Sequence, residues 1–369
     1  MIIMNNYLII TALYRFICGG LILAINWELA SPESTSDLAI STILSFVPAI
    51  FTPFLINLFF KNYSGSNLTK LSFLGIFFIV IAITMLYQNT LLLILLNFAL
   101  WIVFFLLETS LELWFSELVE NKNEEFINKY SSLSMTVNQV ALMIGPLFIA
   151  VIMKFIALFW IFLIYGIVYF LLHLGIKKVK LITHDVTCET AHTSKETVKI
   201  VHYLIVMLMW PILGTINFML PTFTAYKNRE IHEVALLDSA LGVGMAFIGI
   251  LLSKYMSYKW MNIFLIISIS ISVLWYYYED TIIIKLLLML CFGLSFGGAR
   301  IIFRKIIVTE YASHTVKSVY SLGNALGLPI LSVCIYLGML NLDLVWLPSF
   351  ILLTILLILL KTQYQKGAL

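Results

Sequence analysis

The chain has 369 residues, of which 62% are hydrophobic and 11% charged, with a formal net charge of +3 and a mean hydropathy of +1.02. Soluble domains are nearer to about 45–50% apolar and about 25% charged. This composition excludes a soluble globular protein and predicts a polytopic membrane protein. Polar sequence nowhere runs long enough to form a separate soluble domain.

Twelve apolar segments follow one another along the chain, most of them near the ~20 residues that a membrane-spanning helix needs. None alternates apolar and polar residues as a transmembrane strand would, so helix is the predicted structure. The predicted spans are residues 7–26, 38–60, 71–87, 91–115, 131–153, 155–176, 200–225, 234–256, 260–278, 282–303, 318–340 and 343–360.

Five ionisable residues stand out at depth in these apolar segments: Arg15 in the first, Glu108 and Glu112 in the fourth, Arg300 in the tenth, and Arg304 directly after it. A charge at membrane depth is costly and normally faces a cavity or a partner. Each pair is spaced i, i+4 and so shares one helix face. We expect Arg15 to pair with the glutamates, either as a static salt bridge or as a proton-coupling site. Glu112 is alternatively a boundary residue that reaches water.

Arg300 and Arg304 follow three glycines that allow close approach of a backbone or a ligand. Guanidinium groups suit carboxylates and phosphates. Three interpretations stay open: a clamp for an anionic substrate, a gate that closes against Glu108 or Glu112, or an anchor to lipid headgroups. With Arg15, the expected cavity holds three positive and two negative groups, which favours an anionic substrate.

The longest polar stretch, residues 177–199, divides the chain into an N-terminal half, 1–176, and a C-terminal half, 200–369. Lysine and arginine accumulate in the loops of one side, which predicts that this side and both termini are cytoplasmic. The basic residues on the opposite side are Lys154, Lys227, Arg229 and Lys285.

Proline and glycine recur within the spans at positions where a helix bends or packs closely. The two charge pairs are about 190 residues apart, as expected of a duplicated transporter, and Gly145-Pro146 and the stretch Gly327 to Pro329 occupy similar places in the two halves. These residues are predicted to bend helices during gating, or simply to be structural kinks. They are Pro48, Pro53, Gly145, Pro146, Gly323, Gly327 and Pro329.

Several stretches together resemble the major facilitator superfamily, in particular the branch with macrolide efflux pumps and the enterobactin exporter. They are Arg15-Phe16-Ile17, Phe46-Val47-Pro48, Ser116-Glu117-Leu118-Val119, Ile144-Gly145-Pro146, Leu241-Gly242-Val243-Gly244 and Gly323 to Pro329. The resemblance implies two pseudo-symmetric six-helix bundles, with helices 1 and 4 lining a central cavity, and it implies export. The loop at Leu58 to Tyr63 departs from the family pattern, because it lacks the usual aspartate.

Other candidate residues have simpler interpretations. His184, Cys188 and His192 recur every four residues in the central loop and could bind a soft metal, but a flexible polar linker is the expected state. Asp238 and His173 are expected to be boundary residues. No phosphate-binding loop, nucleophile elbow or dinucleotide fingerprint occurs in a credible context, so neither an enzyme, a metal nor a cofactor is predicted.

The sequence thus predicts a monomeric twelve-helix secondary transporter of an inner or plasma membrane, with the lipid bilayer, a small anionic substrate and protons as partners and no nucleic acid. Export of a siderophore or drug-like molecule by alternating access is the favoured hypothesis. Two alternatives are uptake of such an anion by the same fold, and a non-transporting membrane sensor or assembly partner.

Overall fold

A computed structural model describes residues 2–29, 41, 44–120, 122–176, 199–227, 231–278, 281–344 and 346–365. Within these ranges the regular structure consists of twelve principal α-helices and one short 3₁₀ turn, with no strand. The helices are α1 Ile2–Leu29, α2 Pro48–Phe59, α3 Gly65–Leu86, α4 Thr90–Val119, α5 Glu124–Ile152, α6 Leu158–Gly175, α7 Ile200–Tyr226, α8 Ile231–Tyr255, α9 Lys259–Tyr277, α10 Ile282–Glu310, α11 Ser313–Leu340 and α12 Leu347–Gln365.

Ten of the described helices are long and apolar enough to cross a membrane, and α2 and α12 are shorter apolar helices. The chain is therefore a multi-pass membrane protein. Several helices run beyond the predicted spans: α5 begins at Glu124, where the Asn123 side chain accepts a hydrogen bond from the Phe126 backbone N–H, and α10 continues to Glu310. Hydropathy marks the lipid-facing length of a helix, whereas its cap marks its true end.

Helix packing follows the same plan in both halves of the chain. Helix α1 packs on α5 as α7 packs on α11, and α3 packs on α4 and α6 as α9 packs on α10 and α12. The halves meet through two equivalent contacts, α5 with α8 and α2 with α11. Two pseudo-symmetric six-helix bundles are the architecture of the major facilitator fold, and that prediction is confirmed.

Glycine allows the closest of these crossings at equivalent places in the two halves. A Cβ added at Gly145 on α5 would overlap the Phe16 carbonyl oxygen of α1, and one at Gly327 on α11 would lie 2.6 Å from the Met207 carbonyl oxygen of α7. No side chain fits at either point. The repeated Gly-Pro patterns therefore mark two matching helix crossings.

Successive helices alternate in direction, so α1 begins and α2, α4, α8 and α10 end at one end of the bundle, called here the terminus side. The opposite end is called the far side. In the sequence, Trp27, Tyr277 and Trp346 fall at the outer ends of predicted spans, where an aromatic belt is expected, and Trp27 and Tyr277 are exposed as a belt requires. Trp346 is instead 4% exposed, because it packs edge-to-face on Trp275 with 4.7 Å between ring centroids.

Candidate functional site

The five predicted charges lie on α1, α4 and α10, between 9 and 20 Å from the terminus-side ends of those helices at about 1.5 Å per residue. Arg304 is buried, and Arg15, Glu108, Glu112 and Arg300 are half-buried. The structure joins them in two ion pairs and leaves one arginine over. Their functional roles remain predictions.

The first ion pair joins Arg15 and Glu108, both in the N-terminal half. The carboxylate also accepts a hydrogen bond from the Tyr14 hydroxyl at 2.8 Å. Both side chains keep about a quarter of their surface accessible, 24% for Arg15 and 28% for Glu108. The pair is therefore neither sealed in the core nor fully exposed.

The second ion pair joins the halves, because Arg304 Nε of α10 donates to Glu112 Oε2 of α4 at 2.8 Å. Arg304 also donates to Ser134 Oγ of α5 at 2.5 Å, and its guanidinium lies 4.0 Å from the centroid of the Phe115 ring. The side chain is only 3% exposed. A buried guanidinium paired across the bundle does not fit the headgroup-anchor interpretation of Arg304, whereas Glu112 is 21% exposed and its boundary interpretation stays open.

Arg300 lies one turn before Arg304 and has neither an ion pair nor a hydrogen bond within the described part of the chain. It lines a small cavity between the halves with Met135, Gln139 and Met245. The charges of Arg15, Glu112 and Arg304 are close enough to interact with the Arg300 guanidinium. With the two glutamates already paired, Arg300 carries the excess positive charge of the site.

Two further contacts between the halves lie closer to the terminus side, and sequence reasoning missed both. Lys305 of α10 donates to Glu124 of α5 at 2.7 Å, and Lys317 of α11 donates to the Phe60 carbonyl oxygen just after α2 at 2.6 Å. Both lysines are buried. In sequence they look like ordinary positive-inside residues, and no pattern distinguishes a bridging lysine from an anchoring one.

The Ser116-Glu117 stretch also has a structural role. Glu117 Oε1 accepts the backbone N–H of Gly65 at 2.8 Å, which caps the first turn of α3. A carboxylate at a helix N-terminus is stabilised by the free N–H groups and the helix dipole. Glu117 is also within electrostatic range of Lys317. The stretch therefore links the turn between α2 and α3 to the contact between the halves.

The predicted bending residues lie within continuous helices. Pro53, Pro146 and Pro329 are internal to α2, α5 and α11, and Pro48 begins α2. A Cβ at Gly323 would overlap Val206, so Gly323 belongs to the same α7–α11 crossing as Gly327. These positions serve close packing in the described state, and their part in bending remains a prediction.

The remaining candidates lie away from the five charges. Asp238 is exposed on α8, as expected of a boundary residue, and the His173 ring contacts the Lys70 carbonyl oxygen at 2.8 Å. His184, Cys188 and His192 fall outside the described residues. Among the residues that the structure does describe, no group of three or more histidine, cysteine or acidic side chains could hold a metal ion.

Searches by sequence match neither a protein-family model nor a curated protein. Solved structures do match over almost the whole chain. A bacterial homologue of the iron transporter ferroportin, in an outward-facing state, has a TM-score of 0.77 and 13% identity, with 98% of this chain and 99% of that chain covered.

Two other neighbours show the same relationship. The transporter FucP in its outward conformation, described elsewhere as the E. coli fucose:proton symporter, has a TM-score of 0.74 at 12% identity, covering 98% of this chain and 97% of that one. The human organic anion transporter MFSD10 has a TM-score of 0.72 at 12% identity, covering 96% and 98%. At such identities the likeness establishes the fold: this chain has the fold of major facilitator transporters.

Proposed function

We propose that this protein is a secondary transporter that moves a small organic anion across a membrane by alternating access, coupled to protons. The observation that carries the proposal is the buried Arg304–Glu112 bridge between the halves, with the Arg15–Glu108 pair beside it. Buried charges are expensive. A helix bundle with only a structural role does not need five charged side chains in its interior, whereas a transporter needs charged groups that exchange partners.

The halves, residues 1–176 and 200–369, are proposed to move against each other as units. Contacts by Arg304, Lys305 and Lys317 hold them together towards the terminus side. Arg15 and Glu108 remain partly accessible while Arg304 is sealed, which supports a crevice that opens to the far side and ends above Arg304. Opening towards the terminus side would require all three contacts to break.

The proposed substrate carries at least one carboxylate, phosphate or sulfonate group, because the carboxylate nearest to act on Arg300, that of Glu112, is already paired with Arg304. Met135 and Met245 provide adaptable apolar contacts beside it. A polycarboxylate siderophore fits this combination, and a drug-like organic anion is the broader class. The ion-pairing geometry of arginine favours such groups over neutral sugars.

Glu108 is proposed to be the proton-coupling group. As a carboxylate it neutralises Arg15, and as a carboxylic acid it would leave Arg15 free to attract the substrate. The Glu108 carboxylate and the substrate anion would then compete for the same arginine, so protonation of Glu108 and binding of the anion favour each other. Such coupling moves the proton and the anion in the same direction and so favours the uptake alternative, whereas the export proposal rests on the family resemblance. The protein is proposed to act as a monomer in an inner or plasma membrane, with both termini cytoplasmic.

The test uses purified protein in two stages. A thermal-shift screen of siderophores, organic acids and antibiotics first identifies a ligand, since a compound that binds the folded state raises its apparent stability. The labelled hit is then followed in proteoliposomes with an imposed pH gradient. Glu108→Gln should abolish gradient-driven flux, while Lys154→Gln, which removes an exposed charge far from the site, should leave it unchanged.

Two outcomes would change the proposal. If Glu108→Gln and Glu112→Gln both fold normally and leave the cellular phenotype and flux unchanged, a non-transporting role is favoured. If the ligand accumulates in intact cells down the proton gradient, and is not taken up by everted vesicles, the direction is uptake and the export proposal is wrong.

A further inference from the structure

A second set of polar groups lies inside the N-terminal half, away from the junction between the halves. It comprises Tyr14 and Cys18 on α1 and Tyr165 and Tyr169 on α6, and is called here the tyrosine row. None of the four is more than 6% exposed. Each pair is spaced i, i+4 and therefore lies on one face of its helix.

The tyrosine row is continuous with Glu108. The Tyr14 hydroxyl donates to Glu108 at 2.8 Å, and the Phe73 ring lies 5.9 Å from the Tyr14 ring and 6.2 Å from the Tyr169 ring. Cys18 is within electrostatic range of both Glu108 and Tyr169, and Tyr165 follows within range of Tyr169. The order is thus Glu108, Tyr14, Cys18, Tyr169 and Tyr165.

Two of these groups have unused hydrogen-bonding capacity. The hydroxyls of Tyr165 and Tyr169 are buried and have no hydrogen-bond partner within the described ranges. A buried unpaired hydroxyl is costly, and ordered water is the usual partner where no protein group serves. The Tyr165 hydroxyl points at Gly20, where a side chain would overlap it, so the absence of a Cβ leaves space at this point.

We infer that the tyrosine row is a site for ordered water that passes protons to Glu108 from within the N-terminal half. The inference rests on the proposed coupling role of Glu108. A proton taken up by water at the Tyr165 end is passed along the row: each hydroxyl, and the Cys18 thiol, accepts a proton on one side and donates its own on the other, until Tyr14 donates its proton to the Glu108 carboxylate. The row is unchanged at the end, and the Glu108 carboxylate has become a carboxylic acid.

This route separates the proton from the substrate. The charged and titratable groups near Glu108 include Arg15, Tyr14 and Cys18 on α1 and Glu112 one turn further along α4, whereas the excess positive charge that would attract the substrate is Arg300 on α10. A proton that arrives through the tyrosine row does not have to pass a bound anion in the crevice. Glu108 can therefore be protonated while the crevice is occupied.

The test measures how fast Glu108 becomes protonated, and it needs no substrate. The full-length protein in lipid nanodiscs is subjected to a rapid drop in pH, and the infrared C=O band of the new carboxylic acid is followed with time. The band is assigned by its loss in Glu108→Gln. Tyr165→Phe and Tyr169→Phe should slow its appearance by roughly a hundredfold, the effect expected from loss of a positioned proton donor. Its midpoint pH should stay unchanged.

Controls separate this role from a structural one. Tyr203→Phe on α7, a half-buried tyrosine of the other half, should keep the wild-type rate. Cys18→Ser keeps a group that can carry a proton, so Glu108 should be protonated at the wild-type rate in this variant. Cys18→Ala should slow the protonation. If a tyrosine variant does not fold, the comparison of these two cysteine variants tests the inference instead.

Wild-type protonation rates in the phenylalanine variants would overturn the inference, as would the absence of a Glu108 band in the wild type. A failure of the proposed function would look different: the wild-type protein would show no proton-driven flux while the kinetic result stands.

Discussion

The bridge between Arg304 and Glu112 leads to the most direct prediction about the closed terminus side. Replacing Glu112 with Gln removes the charge that neutralises Arg304, a guanidinium that is 3% exposed. Breaking a buried ion pair by removing one partner costs about 3–5 kcal/mol. Arg304 keeps its bond to Ser134 and its contact with the Phe115 ring, and Glu112 is itself 21% exposed. The loss should therefore be nearer to about 2–3 kcal/mol.

This loss of stabilisation changes the equilibrium between the closed and open conformations of the proposed cycle. The bridge spans the halves, so in that cycle it exists only while the terminus side is closed. A loss of about 2–3 kcal/mol shifts that balance towards the open conformation by roughly 30- to 150-fold. Spin labels at Lys61 and Lys259, exposed residues of the two halves on the terminus side, report it. Electron–electron double resonance in a background without reactive cysteines should show a longer distance for Glu112→Gln.

Glu108→Gln is the matched control, because it removes the same kind of charge from an ion pair that lies within one half. It should leave the distance distribution close to that of the wild type. The reasoning is refuted if Glu112→Gln leaves the short distance dominant, or if Glu108→Gln lengthens it as much.

Three further predictions concern neighbouring features. Lys305→Gln should open the terminus side by less than about 1 kcal/mol in the same spin-label experiment, since its partner Glu124 is 71% exposed and screened by water. Arg300→Ala should abolish binding of the anionic ligand in the thermal-shift assay without lowering the melting temperature of the free protein, because no described ion pair or hydrogen bond is lost; a clear fall would mean that Arg300 is structural. Gly145→Ala should cost about 1–3 kcal/mol and lower the melting temperature, because its methyl group would overlap the Phe16 carbonyl, whereas Gly175→Ala, with open space around it, should not.

Much of the architecture could be read from the chain because lipid imposes a simple rule on it. Every spanning segment must satisfy its backbone internally and present an apolar surface, so length and hydropathy are sufficient to locate the helices. Helix ends were less well placed, as at Glu124 and Glu310, because polar caps and amphipathic turns carry no apolar signal. The buried position of Trp346 was also missed, since a belt residue and an interior one have the same neighbours in sequence.

The candidate site, like the fold, can be predicted from the sequence only in part. That Arg15, Glu108, Glu112, Arg300 and Arg304 are unusual follows from sequence, because charge inside an apolar span is rare and costly. Which arginine meets which glutamate does not follow, since Glu108 and Glu112 share one face of α4 and either could serve. Packing of α1 on one side and α10 on the other assigns Arg15 to the first and Arg304 to the second.

The amino-acid order of this chain is enough to define a helical membrane protein with a repeated six-helix plan and a charged interior, because burial in lipid acts on each segment separately. Only the folded molecule shows that Lys305 and Lys317 bridge the halves, and that among the described residues Arg300 has no ion pair and the Tyr165 and Tyr169 hydroxyls have no hydrogen-bond partner. Those facts depend on which helices become neighbours, and contacts between residues far apart in sequence leave no local pattern in it.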